Sequence, residues 1–170
     1  MFDVQIIRTF DEKTVKNIVD INERSFPPQW AYPDAVDYYT EMLKDNRVIH
    51  IMLEWDEERV GYLMAMPSSM AVAELKEFDP AIRCDFAMYY IETVGIIPAY
   101  RGMKGLPMMM GSLIAQCQTR AIQRIALHAR VTTGLSRMLQ KNMKMLVVRR
   151  IERWRFYNYE EPTDYIEMQI

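Results

Sequence analysis

The sequence predicts a mixed α/β fold in a single domain that covers residues 1–170. One observation is that short runs rich in β-branched and aromatic residues alternate with segments whose apolar residues recur at helical spacing. Another is that 170 residues suffice for a substantial core, and no repeat, low-complexity tract or linker divides them. A composition with 50% hydrophobic and 26% charged residues is ordinary for a globular protein.

The first half of the chain is predicted to contain three strands and three helices. Asp11 can cap the first helix, Pro27 and Pro28 end it, and Pro33 opens the second. The predicted strands cover residues 2–8, 48–55 and 60–66. The first predicted helix follows Asp11, and its buried stripe is Val15, Ile18, Val19, Asn22 and Phe26. The second covers residues 33–45, with Val36, Tyr39, Met42 and Leu43 facing inward. A short third helix covers residues 70–78 and is followed by a loop over residues 81–86.

The second half is predicted to alternate strands and helices and to end in two strands. Thr133 can cap the last helix because its hydroxyl can accept a hydrogen bond from the first turn. The predicted strands cover residues 90–97, 125–131, 146–156 and 165–170, with a polar connection over residues 157–164. The predicted helices are one with the apolar residues Leu106, Met109, Met110, Leu113, Ile114, Cys117 and Ala121, and one over residues 134–142 with Leu135, Met138 and Leu139.

The most informative stretch runs from Tyr90 to Leu113, with the sequence YIETVGIIPAYRGMKGLPMMMGSL. Its strand should stop at Pro98, which cannot donate to a sheet ladder, and Pro107 suits the first turn of the following helix. The loop between them carries Arg101 and Lys104. A helix N-terminus with free N–H groups beside a positive charge favours a bound phosphate. The alternative is a plain surface loop with two solvated cations.

Residues 96–102, IIPAYRG, followed by Gly105 and a helix, resemble the acetyl-CoA-binding segment of the GCN5-related N-acetyltransferases. In that family a Val-x-Pro-x-x-Arg-Gly stretch ends the fourth strand, and an Arg-x-x-Gly-x-Gly/Ala loop wraps the pyrophosphate of coenzyme A. Lys104 stands where the glycine after Arg101 is expected, so the loop is interpreted as one residue longer. The order of elements also resembles the family, which implies a central, mostly antiparallel sheet flanked by helices.

The resemblance implies an N-acetyltransferase that transfers an acetyl group from acetyl-CoA to a primary amine by direct attack. The amides of the loop, with Arg101 and Lys104, would hold the pyrophosphate. The pantetheine arm would pair with the main chain near Val94, Gly95 and Ile96. The implied cofactor-binding residues are Val94, Ile96, Arg101, Gly102, Met103, Lys104, Gly105 and Leu106.

Glu92 is the candidate general base. A carboxylate within an apolar run is seldom buried without a reason, and burial would adapt it to accept a proton from an ammonium group. Some members of the family place a glutamate on this strand for that role. The alternative is a structural Glu92 that faces solvent or pairs with an arginine such as Arg130.

The sequence provides no clear general acid. Many members of the family carry a tyrosine on the helix after the fifth strand, and the alignment of Thr133–Ser136 with the family's Asn-x-x-Ala places Gln140 there. Ser136 could assist instead, or the thiolate could leave unassisted. This absence leaves open a non-catalytic acyl-CoA-binding or regulatory domain, or an interaction domain without cofactor.

The acceptor site is assigned by the resemblance to the connection between the first two helices and to aromatic residues of the central strand. The predicted substrate-binding residues are Phe26, Trp30 and Tyr90. Aromatic walls suit a cation or an apolar side chain, and they also suit plain core packing. The acceptor could be a peptide N-terminus, a lysine, a polyamine, an amino acid or an antibiotic.

Two histidines and four arginines admit two interpretations each. His128 and His50 lie in predicted strands, where a buried, hydrogen-bonded histidine competes with an acid–base role. Arg149, Arg150, Arg153 and Arg155 are interpreted as a solvated strand face, with contacts to an acidic ligand or to the ribose phosphate of the coenzyme as the alternative.

The composition limits which binding partners and which cellular compartment we expect. A formal net charge of −2 argues against a nucleic-acid binder driven by positive charge. Cys84 and Cys117 have no metal-type spacing, so we expect no metal, and a reducing cytoplasmic setting is favoured. We also expect no signal peptide and no membrane span. A homodimer is left open.

Overall fold

A computed structural model describes residues 1–156 and 159–170. It contains seven strands and five α-helices among the described residues, in the predicted order. The strands are β1 (Phe2–Ile7), β2 (Ile49–Trp55), β3 (Glu58–Pro67), β4 (Met88–Ile96), β5 (Arg124–Arg130), β6 (Leu146–Phe156) and β7 (Tyr159–Gln169). The helices are α1 (Glu12–Ser25), α2 (Ala35–Lys44), α3 (Ser68–Leu75), α4 (Gly105–Thr119) and α5 (Leu135–Met143).

The strands form one sheet in the order β1-β2-β3-β4-β5-β7-β6. The pairs β1–β2, β2–β3, β5–β7 and β6–β7 are antiparallel, and β4–β5 is parallel. This mixed α/β architecture with a mostly antiparallel sheet confirms the predicted fold class. By its internal contacts the chain divides into two compact units, residues 1–65 with 92–116 and residues 66–91 with 117–170. The single domain stays a prediction.

The first unit packs two amphipathic helices and the start of α4 with β1 and β2. The side chain of Asp11 accepts a hydrogen bond from the N–H of Thr14 at 2.8 Å, which confirms the predicted cap of α1. Ile18, Ile21 and Tyr39 of the two helices are buried together with Ile51 and Leu53 of β2. Burial of such side chains contributes roughly 1.5–3 kcal/mol each to folding.

The second unit contains α3, β5, α5, β6 and β7. The buried core of this unit includes Leu75, Ile125, Leu127, Leu139 and Ile166. The turn before α5 differs from the prediction. The N-cap is Gly134, which adopts a left-handed φ of 72°, while the hydroxyl of Thr133 accepts from the N–H of Leu135 at 3.1 Å.

Several predicted details were wrong. Val36 is exposed rather than inward, because the buried face of α2 is set by Tyr39 and Leu43. Helix α4 ends at Thr119, and Ala121 follows it with a φ of 57°. Of the predicted polar connection, residues 157 and 158 lie outside the described part of the chain, and residues 159–164 belong to β7.

Candidate active site

The first unit contains the strand–loop–helix that the sequence singled out. Strand β4 ends at Ile96, a single 3₁₀ turn covers Pro98–Tyr100, and Gly102 and Lys104 then adopt left-handed φ values of 76° and 70°. Glycine tolerates that region, whereas a side chain there costs about 1–2 kcal/mol. The carbonyl oxygen of Lys104 accepts from the N–H of Met108 at 3.3 Å, so α4 begins directly after Lys104.

The start of α4 is an anion-binding geometry. The N–H groups of Gly105 and Leu106 lie in the first turn and have no acceptor within the helix, and Pro107 carries no N–H. These donors and the positive end of the helix dipole suit a phosphate group. The predicted residues Gly102, Met103 and Lys104 form the turn that leads into this helix end.

Gly105 allows the helix to begin close to β2. A Cβ atom at this position would lie 2.5 Å from Cδ2 of Leu53 and 3.4 Å from Cδ1 of Ile96. The helix can therefore begin at this place only because residue 105 has no side chain. The N–H groups of its first turn, which would bind a phosphate, owe their position to this packing. These residues fit the pyrophosphate of coenzyme A.

Arg101 is held by carbonyl oxygens. Its Nε donates to the carbonyl oxygen of Ile96 at 2.8 Å, and its Nη2 donates to that of Ser25 at 2.7 Å. The guanidinium group thus ties the end of β4 to the last turn of α1. The sequence indicated the charge of Arg101 but not these acceptors, because Ser25 is 76 residues away in the chain.

The C-terminal half of β4 lies against the residues proposed for the acceptor. A Cβ atom on Gly95 would be 3.1 Å from the ring of Phe26, whose centroid is 5.9 Å from that of Trp30. Gly95 is therefore a position where β4 approaches the Phe26 ring closely. Glu92 lies half-buried in the same strand.

His50 is a structural histidine of the first unit. Its Nε2 lies 2.9 Å from the carbonyl oxygen of Met42, and its Nδ1 lies 2.6 Å from the hydroxyl of Tyr62. Burial lowers the pKa of His50 to about 4, although the carbonyl of Met42 and the charge of Asp45 oppose that shift. The buried, hydrogen-bonded interpretation of His50 is confirmed.

The second unit contains a buried network around His128. Its Nε2 lies 3.0 Å from Oδ2 of Asp79, and its Nδ1 lies 2.8 Å from the hydroxyl of Tyr90. The side chains of His128 and Asp79 are each 3% exposed. Arg149 donates from Nη2 to the same Oδ2 of Asp79. His128 is thus buried and hydrogen-bonded, as its structural interpretation predicted.

Asp79 and Arg149 were missed as members of this network. Asp79 follows α3 in a loop, and Arg149 is in β6, 70 residues further along the chain. No local spacing connects them. The predicted solvated arginine face is confirmed for Arg150, Arg153 and Arg155, which are exposed, although Arg150 also bonds Asp164 at 2.8 Å and Arg153 bonds Glu160 at 2.8 Å. Arg149 departs from it, because its side chain is 25% exposed and bonds the buried Asp79.

Gln140, at the position of the family's tyrosine, and Ser136, the group that could assist instead, interact with each other. Gln140 donates from Nε2 to the hydroxyl of Ser136 at 3.1 Å, and this hydroxyl donates to Oδ2 of Asp164 at 2.7 Å. Hydrogen bonds from Arg150 and Ser136 hold the pKa of Asp164 below its usual value, although burial opposes them. The hydroxyl proton of the buried Ser136 is therefore already engaged by the carboxylate of Asp164.

Within the described residues, no helix is long and apolar enough to cross a membrane. In the same part of the chain, no group of three or more His, Cys, Asp or Glu side chains is placed to hold a metal ion.

Residues 15–140 match the acetyltransferase (GNAT) family, and the chain therefore belongs to this family of N-acetyltransferases. This match confirms the resemblance and the enzyme class that the loop sequence implied. The co-substrate of the family is acetyl-CoA, also as predicted. Among curated protein sequences, no relative matches this chain.

Solved structures with the same fold include three acetyltransferases. The ribosomal-protein-S18-alanine N-acetyltransferase from Escherichia coli has a TM-score of 0.73 at 10% identity, over 100% of this chain and 94% of that one. Arabidopsis thaliana NAA60 in complex with acetyl-CoA has a TM-score of 0.76 at 15% identity, over 100% and 99%. A probable acetyltransferase from Staphylococcus epidermidis has a TM-score of 0.77 at 6% identity, over 99% of each chain. At these identities the likeness shows the fold.

Proposed function

We propose that this protein transfers the acetyl group of acetyl-CoA to a primary amine by direct attack of the amine on the thioester. The observation that supports it most is the start of α4, where the N–H groups of Gly105 and Leu106 have no acceptor within the helix. Acetyl-CoA supplies the activated acyl group when it is bound. The residues of the chain bind it, orient the acceptor and accept the proton of the amine.

The proposed cofactor site has two parts. The amides from Gly102 to Leu106 hold the pyrophosphate, with the charge of Lys104 beside them. The main chain of Val94 and Ile96 pairs with the pantetheine arm. Arg101 keeps the strand end in place through its bond to the carbonyl oxygen of Ile96, and that oxygen retains a second acceptor position.

Glu92 is the proposed general base. A half-buried carboxylate in the strand proposed to bind the pantetheine arm can take a proton from the acceptor ammonium, directly or through one water molecule. Phe26 and Trp30 are proposed to line the acceptor site, because a Cβ atom on Gly95 would lie 3.1 Å from the Phe26 ring and that ring packs against Trp30. The role of Tyr90 in acceptor binding stays a prediction.

The thiolate of coenzyme A is proposed to leave unassisted. Gln140 has no titratable proton, and the hydroxyl of Ser136 already donates to Asp164. A free thiol has a pKa of about 8.5, so a thiolate is an acceptable leaving group near neutral pH.

The rival function is that of a non-catalytic acyl-CoA-binding or regulatory domain. The presence of Gln140 at the position of the family's usual tyrosine favours this rival. A thiol-release assay separates the two functions. The protein is incubated with acetyl-CoA and with spermidine, lysine amide or a peptide with a free N-terminus. Amine-dependent release of coenzyme A supports the transferase. Binding of acetyl-CoA without release for any of these amines supports the rival.

Cys84 and Cys117 are free thiols, which supports a reducing compartment. The location in the cytoplasm and the assembly into a homodimer stay predictions.

A further inference from the structure

A carboxylate at the start of β3 holds two side chains at once. The hydroxyl of Tyr100 donates to Oε2 of Glu58 at 2.7 Å, and Nη2 of Arg24 donates to Oε1 of Glu58 at 3.5 Å. Tyr100 comes directly before the cofactor loop (residues 101–104), and Arg24 lies in the last turn of α1. Glu58 therefore connects the entrance of the loop to the end of this helix, and all three residues belong to the first unit.

The contact of Arg101 with α1 completes a closed ring of connected residues. Its Nη2 donates to the carbonyl oxygen of Ser25 at 2.7 Å. Arg101 follows Tyr100 in the chain. Ser25 likewise follows Arg24. Two neighbouring residues are therefore connected to two neighbouring residues of α1, once directly and once through the carboxylate of Glu58. A closed ring of this kind fixes the position and the direction in which the chain enters the cofactor loop.

Aromatic rings connect the two ends of the cofactor loop. The rings of Tyr100 and Trp55 have centroids 6.3 Å apart, and the ring of Trp55 lies 4.8 Å from that of Phe2. A Cβ atom on Gly105 would lie 3.5 Å from Cζ of Phe2. The residue before the loop and the residue after it therefore lie against the same two aromatic side chains of β1 and β2. This arrangement sets the distance that the loop has to span.

The hydroxyl of Tyr100 has a defined direction. The hydrogen bond to Glu58 raises the pKa of Tyr100, so the phenol keeps its proton at neutral pH and donates it to the carboxylate. A hydrogen bond to a charged acceptor is shorter and stronger than one between neutral groups. The side chain of Tyr100 is therefore held at its polar end by Glu58, while its ring lies beside Trp55.

The exposure of these groups separates positioning from stability. The side chains of Arg24 and Glu58 are 45% and 48% exposed, and ion pairs at such sites contribute little to the stability of a fold. Residues 101–104 of the loop are exposed as well. A change at Glu58 should therefore leave the core intact and act on the loop whose entrance it holds.

We propose that Glu58 and Tyr100 are positioning residues for coenzyme A. They hold the entrance of the cofactor loop at the distance from α4 at which the loop amides and the N–H groups of Gly105 and Leu106 meet the pyrophosphate together. This inference rests on the proposed function, in which this loop binds the coenzyme. It makes the recognition of the phosphate groups depend on a hydrogen bond between a residue before the loop and the start of β3.

The hydroxyl of Tyr100 can be removed while its ring stays in place. In Tyr100→Phe the ring remains beside Trp55. The Kd for coenzyme A should rise by roughly 3- to 10-fold, which is the usual worth of one hydrogen bond. The KM for acetyl-CoA should rise as well, while kcat at saturating acetyl-CoA stays unchanged, because no reacting group is altered. A lower kcat with an unmoved KM would indicate a general loss of active structure and would overturn the inference.

Replacement of Glu58 separates positioning from simple electrostatics. Coenzyme A is an anion, so the loss of a nearby carboxylate would tighten its binding if charge alone mattered. Glu58→Ala should instead weaken binding to an extent similar to Tyr100→Phe, because the acceptor of the hydroxyl is gone. The combination of the two changes should add no further loss. Tighter binding by Glu58→Ala, or additive losses in the double variant, would overturn the inference.

Glu54 provides a matched control in the neighbouring strand. Its carboxylate also accepts from two side chains, Nε2 of Gln5 at 2.8 Å and Nε of Arg59 at 3.4 Å, and both lie outside the cofactor loop. Glu54→Ala removes the same charge as Glu58→Ala and should not weaken the binding of coenzyme A. An equal weakening by Glu54→Ala would mean that the effect is not specific to the entrance of the loop, which also overturns the inference.

The deciding measurement is calorimetric titration of each variant with coenzyme A, combined with urea unfolding of the same proteins. We expect weaker binding by Tyr100→Phe and Glu58→Ala, with free energies of unfolding close to that of the native protein. Unchanged binding by both variants, when the native protein binds coenzyme A, overturns this inference alone. Absence of coenzyme A binding to the native protein overturns the proposed function itself.

Discussion

The side chain of Arg101 donates from Nη2 to the carbonyl oxygen of Ser25 at 2.7 Å, which connects the cofactor loop to the last turn of α1. Its Nε donates at the same time to the carbonyl oxygen of Ile96. Both acceptors belong to the backbone. The sequence motif indicates Arg101 as a positive charge for a phosphate group. In the structure its side chain also connects two backbone segments through hydrogen bonds.

We expect Arg101→Ala to lower the free energy of unfolding by about 1 kcal/mol, because two partly exposed hydrogen bonds are lost. Coenzyme A affinity should fall by less than about 10-fold, since the backbone amides still hold the pyrophosphate. Urea titration and calorimetry measure the two quantities. Arg83→Ala, which also removes an arginine bonded to two carbonyl oxygens, is the control and should leave affinity unchanged. A larger loss of affinity at Arg101 than at Gly105 would show that side-chain charge dominates.

Gly105→Val should weaken coenzyme A binding more than Arg101→Ala does. A Cβ atom there would meet Cδ2 of the buried Leu53 at 2.5 Å, so the helix start or the Leu53 side chain must shift, at a cost of about 1–3 kcal/mol in stability. Gly111→Val in the same helix is the matched control, because a Cβ atom at Gly111 meets nothing within 4 Å. Equal affinities of these two variants for coenzyme A would contradict the proposed loop. Leu53→Ala in the Gly105→Val background should recover part of the loss.

Glu92→Gln should lower the turnover number by ~10²–10⁴-fold, which is the usual contribution of a general base. Coenzyme A affinity should stay nearly unchanged, because the amide keeps the size of the side chain. The deficit should shrink at high pH, where more of the acceptor is a free amine. Glu57→Gln in the exposed turn between β2 and β3 is the surface control. Native turnover in the Glu92 variant across the pH range would show that this carboxylate is structural.

The sequence predicted the elements whose pattern is local. Asp11 caps α1 through a residue three positions away, and Pro98 ends β4 because proline has no N–H. Gly105 was expected at the helix start because the loop sequence resembles the acetyl-CoA-binding segment of the family. These features depend on neighbours in the chain, and so periodicity and turn chemistry were sufficient to find them.

The sequence could not predict contacts between distant segments. Asp79, His128 and Arg149 come from three stretches separated by 49 and 21 residues, and they meet only through the register of β5 and β6 on β7 and the path of the loop after α3. The exposure of Val36 has a similar cause, because the face of α2 that is buried depends on the partners of Tyr39. The pattern of β6 correctly indicated an exposed arginine face, but it could not show that Arg149 bonds a buried carboxylate in the loop after α3.

The stability of the protein should fall on acidification below pH 6.5. Burial depresses the pKa of His50 to about 4 in the folded state, so the unfolded state binds an additional proton between pH 6.5 and 4. The stabilisation by neutral His50 is complete above pH 6.5 and is lost as the pH falls toward 4. Between pH 7 and pH 5 we expect a loss of about 2 kcal/mol, measured by urea unfolding. His50→Gln should flatten this dependence, and an unchanged slope would exclude His50 as its source.

Calorimetric titration of the native protein with acetyl-CoA tests the central claim most directly, beside the same titration of Gly105→Val. The central claim is that the first turn of α4 and the loop before it hold the coenzyme. The account predicts saturable binding with one acetyl-CoA per chain for the native protein and at least about 10-fold weaker binding for the variant, a difference of roughly 1.4 kcal/mol. No heat and no thermal shift up to millimolar acetyl-CoA, or equal binding by the native protein and a folded Gly105→Val variant, would contradict it.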